Sequence, residues 1–212
     1  MKQIRIICLL TAAVVLVSIV GGMAGCSRKG PPPTLEDVYD RLVEVIEKSH
    51  EVNVFMFGEG LPVYPRGDAE DQLLHRYYGV VDNGRVYVTP YAKYDNLAAM
   101  QDAMAEVYST SYRESIGETL FTGFADAGIS ASMPARYAED EKALYQSEHV
   151  TPLVSGVKLY DYAGMKIMDG SHATYIRVSI PSMSEAKPGE WTTSELSFVY
   201  ENGNWYLDSP SC

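Results

Sequence analysis

Cysteine is scarce in this 212-residue chain: Cys8, Cys26 and Cys212 are too few for a disulfide framework. Basic side chains are also in deficit, 17 Lys and Arg against 28 Asp and Glu, which leaves a formal net charge of −11. A surface of that sign lacks the cation surplus that phosphate backbones require, so nucleic acid is excluded as a partner. It equally excludes a polybasic patch held to an anionic bilayer. Beyond the first 25 residues no apolar run reaches the length of a membrane span. The motifs of common chemistries are missing too: there is no H-E-x-x-H, C-x-x-C, G-x-S-x-G or P-loop. Gly58-Glu59-Gly60 lacks the third glycine and the preceding strand of a dinucleotide site and reads as a turn. His50, His75, His149 and His172 share no metal-ligand spacing. No metal and no cofactor is expected.

What is present has the balance of a globular protein, 46% apolar and 21% charged. Residues 1–25 form a leader rather than part of the fold. Lys2 and Arg5 precede the apolar run Ile6 to Val20, which closes on Met23-Ala24-Gly25-Cys26. That junction resembles the lipobox of bacterial lipoproteins, with Met in place of the commoner Leu at its first position. The resemblance implies cleavage before Cys26, a diacylglycerol on its thiol, and an extracytoplasmic protein anchored to a bacterial membrane. Two or three acyl chains, at about 0.8 kcal/mol per buried methylene, hold a protein firmly on a bilayer. Loss of Lys2 and Arg5 with the leader takes the net charge from −11 to −13. Cys212 is then a lone thiol. Residues 26–33 are a tether, in which Pro31-Pro32-Pro33 favours extended polyproline II at about 3.1 Å per residue. The tether keeps the folded part near the membrane.

Residues 34–212 read as a single α+β domain. Thr34 is placed to cap a helix with Glu36 and Asp37 in its first turn and an apolar stripe of Leu35, Val38, Leu42, Val45 and Ile46. The pattern frays near Ser49-His50, and the cluster Val52 to Phe57 is of undecided type. His75 to Val81 and Arg85 to Thr89 read as a hairpin turned by Asp82-Asn83-Gly84. Asp95 stands to cap a second helix carrying Leu97, Met100, Met104, Val107 and Tyr108. A third amphipathic stretch, Ile116 to Phe124, ends at Gly128. Ala135 to Tyr137 and Ala143 to Tyr145 suggest another hairpin, turned at Glu139 to Lys142. The remainder is strand: Val157 to Met168 broken at Gly164, Thr174 to Ile180, Glu195 to Tyr200, and Trp205 to Leu207 after the Asn202-Gly203 turn. Period-two alternation there marks an antiparallel sheet covered on one face. Helices early and a meander late give α+β.

The order of elements and the ending Phe198-Val199-Tyr200-Glu201-Asn202-Gly203-Asn204-Trp205-Tyr206-Leu207-Asp208 resemble the NTF2-like (cystatin-like) cone, in which N-terminal helices pack on a curved C-terminal β-meander. Proteins of this type include small bacterial lipoproteins and secreted inhibitors of the D,L-endopeptidases that trim peptidoglycan. The resemblance implies a pocket between helices and sheet and leaves both binding and catalysis open, since one fold hosts both.

Ser184-Glu185-Ala186-Lys187 matches the S-x-x-K of penicillin-recognising enzymes. It lies in a loop beside Pro188, without the helix that would let Ser and Lys share a proton. The acidic runs Asp68, Glu70, Asp71 and Glu139, Asp140, Glu141 read as solvated loops. Tyrosine is the skewed residue, 16 against 5 phenylalanines. Tyr77, Tyr78, Tyr87, Tyr91 and Tyr94 crowd the first hairpin and its exit, and such side chains suit recognition surfaces as well as cross-strand pairing. The expected function is binding rather than catalysis, of a basic cell-wall hydrolase or another envelope component, with inhibition of a D,L-endopeptidase implied by the resemblance. The alternative is a small-ligand-binding cone or an isomerase- or dehydratase-type enzyme, which would place an Asp/His or Asp/Tyr pair inside the pocket.

Overall fold

A computed structural model of the chain describes residues 30–64, 85–123, 135–141, 143–147, 152 and 158–212. The expected leader, Cys26, Tyr77, Tyr78 and the expected Asp82-Asn83-Gly84 turn lie outside the described residues. Helix α1 (Leu35–Met56) starts where the sequence places it. Thr34 accepts the Asp37 N–H on its side chain, and the Asp37 carboxylate accepts the Thr34 N–H, at 3.3 and 3.1 Å. The helix does not fray at Ser49-His50 but absorbs the Val52–Met56 cluster. Val45, Ile46, Val52, Phe55 and Met56 continue one buried face, and the buried Ser49 hydroxyl donates back to the Ile46 carbonyl at 2.5 Å. Each such fully buried aliphatic or aromatic side chain contributes about 1.5–3 kcal/mol relative to exposure.

The carbonyls at the end of α1 are met by groups distant in sequence. Phe55 O accepts from the Tyr137 hydroxyl at 2.8 Å, and Met56 O and Gly58 O accept from the buried Arg136 guanidinium at 3.2 and 2.5 Å. A cation at a helix C-terminus satisfies the orphan carbonyls and the negative end of the helix dipole together.

Strand β1 (Arg85–Tyr87) pairs with β3 (Leu144–Ser147), which pairs with β2 (Tyr137–Glu139), so the order is β1-β3-β2, all antiparallel. The expected second hairpin is therefore present, its strands shifted toward the chain's C-terminal side. Ala143 donates to Asp140 Oδ1 across its turn at 3.1 Å. Helix α2 (Leu97–Val107) is capped by Asn96 rather than Asp95, with Asn96 Oδ1 accepting the Ala99 N–H at 2.8 Å. Helix α3 (Thr110–Gly117), capped by Ser109, runs on as a π-helical turn over Glu118–Thr122 and stops at Gly123, φ +78°, earlier than the expected Gly128.

The larger sheet holds β4 (Lys158–Tyr160), β5 (Lys166–Ile167), β6 (Tyr175–Ser184), β7 (Trp191–Glu201) and β8 (Asn204–Leu207), in order β4-β6-β7-β8 with β5 also on β6. Its register follows the sequence alternation: Ile176 opposes Phe198 and Val178 opposes Leu196 on the buried face, while Arg177 opposes Ser197 and Ser179 opposes Glu195 on the other. The break expected at Gly164 is wider than one residue. Pro181 has no N–H to offer the neighbouring strand, and after Asp161 donates to the Pro181 carbonyl at 2.9 Å the chain loops out as a 3₁₀ turn before β5 resumes the pairing. Asn202, φ +50°, and Gly203, φ +85°, make the positive-φ turn between β7 and β8.

The result is α+β: among the described residues, three helices against a curled antiparallel sheet that forms a half-barrel. Its core joins Leu42, Ile46 and Phe55 of α1, Met100 and Met104 of α2, Tyr108, and Ile176, Ile180, Leu196, Phe198 and Leu207 of the sheet.

Candidate functional site

A groove of about 480 Å³ runs between α1 and α2. Helix α1 contributes Lys48, Glu51 and Val52, and α2 contributes Ala99, Asp102, Ala103, Glu106 and Val107, residues three and four apart and so on one stripe of each helix. The two alanines lower the floor, and Lys93 and Tyr94 close one end from the loop before α2. Lys48 Nζ bridges Glu44 at 3.1 Å and Glu106 at 3.2 Å, joining α1 to α2. Lys93 pairs with Glu51 and sits 5.6 Å from the centre of the Tyr94 ring. These contacts raise both ammonium pKa values, Lys48 through Glu44 and Glu106, Lys93 through Glu51. Asp102 makes no ion pair among the described residues. Tyr94 itself is 8% exposed and meets Phe55 edge-on at 5.2 Å. Burial, with the Glu51 carboxylate nearby, pushes its phenol upward. The site is thus a shallow trough with an aromatic end wall, an aliphatic floor and carboxylates on both rims.

The tyrosines that the sequence singles out do not share one setting. Tyr94 belongs to the groove. Tyr87 lies on β1 with its ring 5.0 Å from that of Tyr145, its partner across the strands. Tyr91 is 91% exposed. A second hollow, of about 240 Å³, lies between α2 and α3, with Gln101, Arg113 and Glu114 in its lining.

Several polar groups that sequence reading passed over are brought together beside the same C-terminal half of α1, at Ser49 and Asn53. Asn53 Oδ1 accepts the buried Tyr108 hydroxyl at 2.5 Å, while its Nδ2 donates to Ser211 Oγ at 2.8 Å. Ser182 Oγ meets Ser194 Oγ at 2.8 Å, and Lys158 donates to Ser194 at 3.2 Å. No signal in one sequence joins residues 53, 108 and 211. The one available hint is Ser49 and Asn53 interrupting the apolar stripe of α1.

The remaining candidates have structural tasks. Glu139 Oε2 accepts the Leu97 N–H at the start of α2 at 2.9 Å, and Asp140 accepts from the Tyr145 hydroxyl at 2.7 Å. Ser184 and Lys187 of the S-x-x-K match lie in the β6–β7 turn, where the Lys187 N–H donates to the Ser184 carbonyl at 3.0 Å and Lys187 is exposed. His172 faces Tyr175. Burial pushes the His50 imidazole down, and its Nε2 is enclosed without a hydrogen-bond partner among the described residues. Among the described residues no three His, Cys, Asp or Glu side chains are grouped to hold a metal ion, and no helix is long and apolar enough to cross a membrane. No protein-family model and no curated protein matches the chain.

Proposed function

We propose that the protein is an extracytoplasmic lipoprotein, anchored to a bacterial membrane through acylated Cys26. In this reading its NTF2-like domain binds a basic partner of the cell wall in the α1–α2 groove and restrains a peptidoglycan hydrolase of the D,L-endopeptidase class. One observation carries the binding reading: Glu51, Asp102 and Glu106 rim a shallow trough that ends on Tyr94. The lysines already there do not close it. Exposed ion pairs of this kind contribute about 0–1 kcal/mol, so an incoming Arg or Lys exchanges with Lys48 or Lys93 at little cost. The chain's excess of acids speeds encounter with a basic protein, and salt screens that attraction over roughly 10 Å at 0.1 M.

The test reverses the rim. A soluble chain beginning after Cys26, with Asp102→Lys and Glu106→Lys, is compared with its parent for capture of wall-associated proteins at low and high salt. The parent retains basic proteins at low salt and releases them at high salt, and the reversed chain retains at least about tenfold less. Equal retention by the two chains contradicts the groove as the binding surface.

A further inference from the structure

The inner face of the large sheet changes character along its length. Ile176, Val178, Leu196 and Phe198 are apolar and buried, but Ser182 and Ser194, also buried, replace them at the far end. Helix α1 opposes that end with the buried Ser49 and Asn53. Hydroxyls and amides withdrawn from water must find partners: Ser182 and Ser194 bond one another, whereas Ser49 and Asn53 both meet one short segment of chain.

After β8 the chain leaves the sheet. Asp208 N–H donates to Ser197 O at 2.8 Å, and Ser197 N–H to Ser209 Oγ at 3.0 Å. The segment then runs, without regular secondary structure, between Ser49 and Asn53 of α1 and Tyr160 of β4. Ser211 is 1% exposed. Its Oγ lies 2.5 Å from Ser49 Oγ and accepts from Asn53 Nδ2, and its carbonyl accepts from the Tyr160 hydroxyl at 2.5 Å. Because Ser49 already donates to Ile46 O, Ser211 is the donor of that pair. One residue thus offers a hydroxyl and a main-chain carbonyl to three side chains, those of Ser49, Asn53 and Tyr160. Around this seat, Lys158 makes no ion pair among the described residues, and His50, with Nε2 unpartnered, lies with its ring centre 6.1 Å from that of Tyr160.

We propose that this end of the concave face is a second binding site, for an extended peptide carrying a small hydroxylated residue, and that Ser209–Cys212 occupies it as an internal competitor. The seat recognises a hydroxyl through Ser49 and Asn53 and a main-chain carbonyl through Tyr160. Pro210 brings no N–H, so from Ser209 onward the segment is held by the Ser209 and Ser211 hydroxyls and the Ser211 carbonyl, bonds that a peptide of like sequence would reproduce. The inference is independent of the α1–α2 groove.

Cys212 reports on the exchange, because its thiol is partly buried and held upward by that burial. The full chain is treated with a thiol reagent, and labelling of Cys212 is followed by mass spectrometry with the synthetic peptide Ser-Pro-Ser-Ala or Ala-Pro-Ala-Ala in excess. The first peptide raises the labelling rate at least about fivefold in a saturable manner and the second does not, since a ligand shifts the segment only by its preference for the emptied seat. Ser211→Ala, which removes the hydroxyl of the competitor, raises the basal rate and tightens binding of Ser-Pro-Ser-Ala. A rate unmoved by Ser-Pro-Ser-Ala, or moved equally by both peptides, overturns the proposal, whatever the variant does.

Discussion

His50 shows how a single residue couples this fold to pH. Its imidazole is held below its ordinary value of 6.5 chiefly by burial, opposed by the nearby Glu47 and Glu185 carboxylates. The unfolded chain therefore binds a proton near pH 6.5 that the folded chain takes up only at lower pH. Stability from this group is fully present above about pH 6.5 and declines as pH falls below it. His50→Gln is expected to flatten the fall in urea midpoint between pH 7 and pH 5. An identical pH dependence in the variant and its parent would show that burial does not set this titration. The role of His50 was not legible in the sequence, because burial depends on Tyr160, 110 positions away. The same is true of Arg136, which reads as one strand residue of the second hairpin yet closes the end of α1. Thr34 was legible because its partner, Asp37, is local.

Elements were readable wherever one face is buried against a continuous core. The alternation of β6 and β7 and the stripe of α2 survive in the structure with boundaries displaced by only a few residues. Readings missed where the deciding contact is tertiary. Helix α1 continues past Ser49-His50 with Ser49 and Asn53 of its buried face bonded to Ser211, and the strand from residue 158 splits because Pro181 in the neighbouring strand offers no donor. The turn after α1 is a further case. Gly60 has φ +93°, and a Cβ there would lie 2.2 Å from Oε1 of Gln146, the atom that accepts the Leu61 N–H at 2.7 Å. Gly60→Ala combines a strained backbone with loss of that bond, for an expected cost of about 2–4 kcal/mol. For a domain of this size the thermal midpoint falls by about 5–12 °C. Gly203→Ala is the control, since φ is +85° there but nothing lies within 4 Å. Equal losses at the two positions would show that Gln146 plays no part.

At the scale of the whole molecule, the proposed anchor and the net charge act together. A chain with a net charge of −11 is repelled by an anionic bilayer, so attachment rests on the acyl chains proposed at Cys26. Cys26→Ser, expressed in a bacterium that processes lipoproteins, is expected to move the protein from the detergent phase to the aqueous phase. A variant processed and acylated like its parent contradicts the anchor. The proposed address is local in sequence, a leader-like run ending at one cysteine, whereas the groove arises from side chains of two helices and a loop and has no sequence signature beyond the helical spacing of each stripe. The proposed restraint of a basic wall hydrolase by the domain is tested most directly by peptidoglycan hydrolysis. The hydrolase captured at low salt is assayed on purified peptidoglycan with the soluble domain in excess, at both salt concentrations. Hydrolysis is predicted to fall at least about tenfold at low salt and to recover at high salt or with Asp102→Lys and Glu106→Lys. Hydrolysis undiminished by excess domain at low salt would contradict the claim.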